Sequence, residues 1–223
     1  MLNNKKENTA RERRKQIFDT AIHLFIKKGV ADTSMREISK AVGITTGGLY
    51  HYVQSKDEII RMVTENSMHF HESVKNLREE LGDVSPTEAF YACVKCWLTV
   101  PPGALEQTAF LDREKVHMTP DVQEEVSEIV RDLIHFFEEL LNDGIAAGEF
   151  EVDNVTVVAF NTYMLRGLYA TRQWFLKDLF TPEEYASRMT DAILKQILVD
   201  RTRINLGGEK AEKLIAQLLS PVS

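Results

Sequence analysis

The sequence predicts an all-α protein of about nine or ten helices, with a three-helix unit at the N-terminus and a larger helical domain after it. A Ser or Thr followed three residues later by Glu caps helix N-termini, and this pattern begins at Thr9, Ser34, Ser55, Ser85 and Thr181. A proline in the first helical turn costs no hydrogen bond, and a proline follows Ser or Thr at Pro86, Pro120 and Pro182. No segment alternates apolar and polar residues between turns, so strands are not expected.

The predicted helices are 10–28, 35–41, 46–52, 56–80, 86–99, 104–116, 121–147, 154–177 and 182–204, with a possible short tenth near 209–219. The first four are closely spaced, unlike the long helices that follow, and we place the domain boundary inside the fourth, near residues 56–60. We therefore predict a first domain at 1–58, whose residues 1–9 form a flexible tail, and a second domain at 59–223.

The first predicted helix has an apolar stripe at helical spacing, formed by Ile17, Phe18, Ala21, Ile22, Leu24 and Phe25. Two short helices follow, and Gly43 between them can take the left-handed conformation that ends a helix sharply. Their predicted inner faces are Ile38, Ala41 and Val42, then Ile44, Leu49 and Tyr52. A short-turn pair packed on a first helix is the helix-turn-helix geometry, whose second helix enters the DNA major groove.

The charge distribution agrees with a DNA-binding N-terminus. The whole chain has a formal charge of −7, but residues 1–56 hold eleven Lys and Arg against five Asp and Glu, a charge of +6. The remainder therefore carries −13. A basic first domain attached to an acidic second one is typical of a DNA-binding module, although basic tails also occur on unrelated proteins.

The segment TSMREISKAVGITTGGLYHYVQSKDEII at 33–60 resembles the operator-binding segment of the TetR family of regulators, and the resemblance covers residues 11–60. The matching details are Thr33-Ser34, Gly43, Gly48-Leu49-Tyr50 and the Ser-Lys-Asp-Glu run at 55–58. Ser39 stands where the family usually has Ala, and Val53 where it usually has Phe. The resemblance implies an N-terminal helix-turn-helix DNA-binding domain and a C-terminal ligand-binding and dimerisation domain.

Residues predicted to contact a double-stranded operator are Ser34, Arg36, Thr45, Thr46, Gly47, Gly48, Tyr50, His51 and Lys56. The two adjacent glycines cost about 1 kcal/mol each in a helix, which makes sense where the backbone must approach DNA closely. The two threonines can touch a base edge or a thymine methyl. The resemblance implies phosphate contacts for Tyr50, His51 and Lys56. In the simpler alternatives Tyr50 is a core residue, His51 an ordinary exposed histidine and Thr45 mainly a helix cap.

By the same resemblance, the predicted helices 154–177 and 182–204 form a four-helix bundle across the twofold axis of a homodimer. Helix 154–177 is apolar on nearly all sides, as expected of a helix buried both in its own domain and against a partner. Twofold symmetry suits a palindromic operator.

Candidate effector-binding residues lie on helices expected to surround a central cavity: Phe90, Trp97, Phe110, Arg113, His117, Phe137, Leu141, Asn161, Tyr163, Met164 and Arg166. Plain core packing is the alternative for each apolar member. Arg166 lies within an apolar helix, where an unpaired charge is costly, and an ion pair with an acid of the same chain is its alternative.

The runs at 111–121 and 160–186 are similar to a TetR subgroup that responds to acyl-CoA thioesters. A hydrophobic, drug-like or aromatic effector is the rival expectation.

Cys93 and Cys96 have C-x-x-C spacing, but no second pair completes a zinc site, so two buried apolar side chains or a redox sensor are the alternatives. His69 and His71 cannot share one helix face as a metal pair. We predict no metal or cofactor, no membrane helix, no secretion signal and a cytoplasmic protein.

No hydrolase elbow, phosphate loop or dinucleotide fingerprint is present, which argues against an enzyme. The predicted function is a ligand-responsive repressor, and a DNA-binding activator or a factor that senses nothing is the alternative. An all-α enzyme with a basic N-terminus is a third class that these features disfavour.

Overall fold

The computed structural model describes residues 2–99, 104–200 and 209–219, in which eleven α-helices and one short 3₁₀ turn are found. The helices are α1 (Leu2–Lys28), α2 (Met35–Val42), α3 (Thr46–Tyr50), α4 (Lys56–Leu81), α5 (Pro86–Leu98), α6 (Ala104–Glu114), α7 (Pro120–Ala146), α8 (Val155–Thr171), α9 (Gln173–Leu176), α10 (Pro182–Ile197) and α11 (Glu209–Leu219). The 3₁₀ turn is Lys115–His117. The predicted all-α class is confirmed. No helix of the described residues is long and apolar enough to cross a membrane.

The chain divides into two compact units, and the first comprises residues 1–67 together with 110–126. Its core is formed by the stripe of α1, the inner faces of α2 and α3, and the start of α4. Phe110, Met118 and Val122 complete this core, and the ring of Phe110 stacks on that of Phe25 with centroids 5.9 Å apart. The first unit is therefore not one continuous stretch of sequence, unlike the predicted domain at 1–58.

The second unit comprises residues 68–109 and 127–223. Helix α5 lies at its centre, because ten of its thirteen residues are buried and it packs against α8, α10 and α11. After α10 the backbone becomes extended, and the Val199 N–H donates to the Glu149 carbonyl at 3.0 Å.

Several helix boundaries differ from the sequence prediction. The predicted helix at 154–177 is two helices, because Arg172 leaves the helical conformation with φ −112° and ψ 19°. The predicted helix at 182–204 ends at Ile197, and its positions 201–204 lie outside the described residues. Residues 2–9, predicted as a tail, continue α1, since this stretch contains neither Gly nor Pro to interrupt a helix.

Candidate functional site

The start of α2 is fixed by the capping box that the sequence predicts. The Glu37 N–H donates to Ser34 Oγ at 3.2 Å, and the Ser34 N–H donates back to Glu37 Oε2 at 3.0 Å. Lys28 at the end of α1 donates to Glu37 Oε1 at 2.7 Å. The hydrogen bond from Lys28, followed by that from the Ser34 N–H, lowers the pKa of Glu37 to about 2. The first turn of α2 is thus tied to the end of α1.

The turn between α2 and α3 depends on Gly43, which has φ 79° and ψ 32°. This is the left-handed region that glycine adopts without strain, so α2 can end here and α3 can begin three residues later. Ser39 is buried against the turn, and its hydroxyl donates to the Arg36 carbonyl at 2.9 Å and lies 3.1 Å from Thr46 Oγ1. The Ser39 hydroxyl, which the alanine usual at this position would lack, therefore joins α2 to α3.

The prediction that Ala41 belongs to the inner face of α2 is wrong, because Ala41 is exposed. The buried positions of this helix are Ile38, Ser39 and Val42, which share one face at 100° per residue.

Helix α3 is one short turn held by its cap and by a single buried side chain. Thr45 Oγ1 accepts the Gly48 N–H at 3.0 Å, as a helix cap does, and Leu49 is fully buried. Gly47 is exposed, and a Cβ at this position would meet no atom within 4 Å. Nothing in the packing of this chain therefore requires glycine at position 47.

Besides the exposed caps Ser34 and Thr45, three of the predicted DNA-contacting side chains are exposed around these two helices: Arg36, Tyr50 and His51. Tyr50 is 43% exposed, which contradicts its interpretation as a core residue. Within the described part of the chain none of the three side chains makes a hydrogen bond or an ion pair. Their polar groups are available to a ligand.

Lys56 has a partner within the chain, which the sequence did not indicate. Its ammonium donates to the Val30 carbonyl at 2.6 Å, in the loop that precedes α2. The N–H of Val30 in turn donates to Glu114 Oε2 at 3.1 Å. Residue 30 is therefore held through both of its backbone polar groups by two charged side chains.

Glu114 and its neighbour Arg113 stabilise the end of α1. Burial raises the pKa of Glu114, but the hydrogen bond from Val30 and the adjacent Arg113 outweigh it and hold the pKa below its usual value. Arg113 Nη2 donates to the carbonyls of Phe25 and Ile26, each at 3.1 Å. Arg113 thereby caps the last turn of α1, where carbonyls lack intrahelical partners, and it adds a second donor to the Phe25 carbonyl, which also accepts the Gly29 N–H at 2.8 Å.

Three residues predicted to line an effector cavity belong to the first unit. Phe110 is buried in its core, Arg113 binds the end of α1, and His117 is exposed on the 3₁₀ turn. The physical reason is that the last turn of α6 packs against the end of α1 and so belongs to the first unit. The structure does not bring these three residues together with the candidates of the second unit, and their effector role stays a prediction.

The predicted effector residues of the second unit separate into two groups. Phe90, Trp97, Phe137 and Leu141 are buried in its core, and the half-buried ring of Tyr163 stacks on Trp97 at 5.7 Å. Asn161 and Met164 are exposed and lie outside this core, so their effector role stays a prediction. A helix that is apolar on all sides gives no periodic signal to distinguish its inner face from its outer one.

The outer face of α8 is apolar. Val157, Phe160, Met164 and Leu168 are each between 44% and 52% exposed and recur every three or four residues, so they form one stripe. Trp174 and Phe175 of α9 are exposed as well, at 72% and 55%. Apolar patches of this kind mark interaction surfaces on proteins.

Arg166 points to the inner side of α8, where it is buried. Its guanidinium carbon lies 4.2 Å from the ring centroid of Phe70 and 4.5 Å from that of Trp97. Nη1 donates to the Trp97 carbonyl at a long 3.4 Å. Within the described residues no carboxylate pairs with it, so the ion pair that the sequence left open is not found there.

Cys93 and Cys96 are both buried on α5. Burial raises the pKa of Cys96 to about 12 and that of Cys93 further, so both remain protonated thiols at neutral pH. Reactive cysteines have lowered pKa values and exposure to solvent, so the environment favours the packing interpretation over a redox sensor.

Two family profiles match the chain. The one described as bacterial regulatory proteins, tetR family, matches residues 17–63, and the one described as tetracyclin repressor-like, C-terminal domain, matches residues 83–197. Among curated proteins, the chain is 38% identical over 63 residues to the HTH-type transcriptional regulator AcrR of Shigella flexneri, which is 28% of this chain and 29% of AcrR. It is 22% identical over 174 residues to the regulator HbdR of Aromatoleum sp. (strain CIB), covering 78% of this chain and 76% of HbdR.

The similarity to several of these relatives is confined to part of their length. The chain spans 29% of AcrR and 37% of the regulator TtgR of Pseudomonas putida. Similarity to HbdR extends over most of both chains but at lower identity.

Solved structures show the same fold. A bacterial regulatory protein in the tetR family from Rhodococcus RHA1 superposes with a TM-score of 0.73 at 20% identity, covering 84% of this chain and 98% of that one. AibR, crystallised with isovaleryl coenzyme A and operator DNA, superposes with a TM-score of 0.69 at 24% identity, covering 82% and 99%.

Proposed function

Because the chain belongs to the TetR family of transcriptional regulators, we propose that it is a ligand-responsive repressor that leaves a palindromic operator when an effector binds. Members of this family are DNA-binding regulators and not enzymes, and they bind their operators as dimers. The observation that carries the proposal is the exposed polar face of α2 and α3, on which Arg36, Tyr50 and His51 have no partner within the described residues. Since operator DNA in bacteria is cytoplasmic, so is the proposed site of action.

In the proposed complex α3 enters the major groove with Gly47 facing the bases. An exposed glycine with empty space beside it allows the closest approach of a helix backbone to a base edge. Arg36, Tyr50 and His51 bind phosphates or base edges around it. Thr45 and Thr46 at the start of α3 present their methyl groups, Gly48 lets the cap form, and the start of α2 at Ser34 offers backbone amides to a phosphate.

Lys56 remains in the proposed DNA-binding set with a second role. An ammonium group has three N–H donors, and the bond to the Val30 carbonyl uses one of them. The other donors can bind a phosphate while the first holds the loop before α2 in place. Lys56→Ala removes this charge and should reduce the magnitude of the negative slope of log K against log salt by about 1.

The proposed homodimer forms through the apolar stripe of α8 together with α10, as the sequence predicts. The stripe leaves Phe160, Met164 and Leu168 partly in water in one chain, and a twofold axis would bury each against its counterpart. Phe160→Arg should therefore give monomers in sedimentation velocity and lose affinity for a palindromic duplex. Glu128→Arg, at an exposed position of α7 that is not part of the stripe, is the matched control and should remain dimeric. A dimeric Phe160→Arg protein would place the interface elsewhere.

The proposed effector is a small hydrophobic molecule or an acyl-CoA thioester that binds among the aromatic side chains of the second unit. Phe90, Trp97, Phe137, Leu141 and Tyr163 supply the apolar surface that such pockets have. The likeness to AibR, whose structure contains isovaleryl coenzyme A, supports an acyl-CoA among the candidates. To move the protein from 1:99 to 99:1 in favour of the released state, the effector must prefer that state by about 5.5 kcal/mol.

The test begins with selection of duplexes from a random library by the wild-type protein. We expect a palindromic site, bound with strong salt dependence in fluorescence anisotropy. Titration with octanoyl-CoA and with aromatic compounds should then release the duplex. Selection of no sequence would refute operator binding. A complex that persists with every compound would instead favour an activator or a factor that senses nothing.

A further inference from the structure

The buried guanidinium of Arg166 is surrounded by aromatic rings. Phe70 and Trp97 lie at 4.2 and 4.5 Å from its central carbon, and Tyr163 stacks on the indole of Trp97. These cation–π contacts offset part of the cost of removing the charge from water, but they supply no negative charge. The cluster Phe70, Trp97, Tyr163 and Arg166 is called the arginine cluster below.

The neighbours of Arg166 do not supply a negative charge either. Burial, and next the charge of Arg166, lowers the pKa of His71 to about 3, so its imidazole is neutral at pH 7. The nearby Cys96 thiol is protonated, because burial raises its pKa to about 12. Burial lowers the pKa of Arg166 itself to about 10, so the guanidinium is still charged at pH 7. In the described residues it is a buried cation without a counterion.

Only one N–H of the guanidinium has an acceptor among the described residues. A guanidinium has five N–H donors, all in its plane. One donor is used in the 3.4 Å bond to the Trp97 carbonyl. The remaining in-plane N–H groups match the two oxygens of a carboxylate, which binds an arginine edge in a bidentate manner. Phe70 and Tyr163 are partly exposed, so the cluster is not closed to solvent.

We propose that the arginine cluster is the anion-binding part of the effector site and takes the carboxylate of a small organic acid, whose apolar body packs on Trp97 and Tyr163. This rests on the proposed function only in calling the bound acid an effector. A free acid is favoured over a thioester, because forming the thioester consumes the carboxylate that matches the Arg166 edge. A neutral hydrophobic ligand would leave the buried cation without a counterion.

The experiment compares acids with neutral molecules of the same shape. Isothermal titration calorimetry and thermal unfolding are run on the full-length protein with 4-phenylbutyrate and octanoate, and with 4-phenylbutanol and octanol. We expect the acids to bind and raise the Tm and the alcohols to do neither. Arg166→Met should weaken binding of the acids by at least roughly 30-fold, and Arg166→Lys by less, because it keeps the charge but loses the planar donors.

The unliganded variants distinguish a binding role from a structural one. Replacement of an unpaired buried charge by an apolar side chain of similar length should leave the Tm unchanged or raise it. Arg172→Met, at the exposed end of the same helix, is the matched control and should bind the acids as wild type does. If Arg166→Met does not fold, Arg166→Lys carries the comparison.

Each outcome separates the two proposals. Equal binding of acid and alcohol, or acid binding unaffected by both Arg166 variants, overturns the assignment. Octanoyl-CoA that releases operator from wild type and Arg166→Met alike overturns it too, yet leaves the proposed repressor intact. Acid binding that depends on Arg166 in a protein that selects no DNA sequence supports the assignment and refutes the repressor.

Discussion

Replacement of Gly47 by alanine separates the stability of the first unit from its affinity for DNA. Gly47 lies in the first turn of α3, and no atom lies within 4 Å of the position that a Cβ would take there. Alanine is therefore compatible with the fold at this position. If the glycine is there for close approach to a base edge, the methyl group should harm only the complex.

The expected magnitudes follow from the helix and from the proposed contact. Alanine in place of glycine within a helix stabilises it by about 1 kcal/mol, and no steric clash opposes this gain. For a chain of this length that is a rise in Tm of roughly 2–4 °C. A methyl group inserted into a close-packed contact costs about 1–3 kcal/mol, which is roughly 5- to 150-fold in affinity.

The assay measures both quantities on the same protein. Differential scanning calorimetry gives the Tm, and anisotropy with the selected palindromic duplex gives the Kd at one fixed salt concentration. Gly48→Ala is the control, because its Cβ would lie 3.1 Å from Thr45 Oγ1 and disturb the cap, so it should lose stability as well as affinity. A Gly47→Ala protein that binds DNA as tightly as wild type would show that this face of α3 does not lie against the bases.

Three further changes test other features of the fold. Glu114→Ala removes the acceptor of the Val30 N–H and should lower the free energy of unfolding, measured in urea, by about 1–3 kcal/mol. A decrease no larger than that caused by replacing an exposed glutamate with alanine would contradict this. Gly144→Ala places a methyl group where the ring of Phe150 lies and should lower the free energy of unfolding by about 1–3 kcal/mol. An unchanged Tm would refute this. The carboxylate of Glu37 stabilises the fold fully above pH 4.5, and this contribution is lost as the pH falls from 4.5 to 2. The urea midpoints of wild type and Glu37→Gln should therefore lie closer together at pH 3 than at pH 6; an equal gap at the two pH values would exclude an ionic role.

The helix-turn-helix could be predicted because its signals are local. The capping box of Ser34 and the glycine at 43 each act within a few residues, and both have the expected geometry. The roles of Glu114 and Lys56 could not be predicted, because their partner Val30 lies 84 and 26 residues away and is an ordinary backbone amide.

The second unit was predictable in class and less so in detail. Helices and their caps at Ser85 and Thr181 follow from local patterns. The inner and outer faces of α8 do not, because apolar residues lie on every side of it. Arg166 was singled out because a charge stood within an apolar helix, but its contacts with the rings of Phe70 and Trp97 depend on the packing of α4 and α5 against α8.

The backbone of Val30 has a consequence for engineered chimaeras. Regulators are recombined by joining the DNA-reading segment of one protein to the sensing segment of another at a single crossover. Here a crossover at residue 58 would separate Val30 from Glu114 and α1 from Arg113, although the sequence on each side remained intact. A transplant with two crossovers, which carries residues 110–126 together with 1–67, keeps these partners together. In this protein the exchangeable module is discontinuous along the gene.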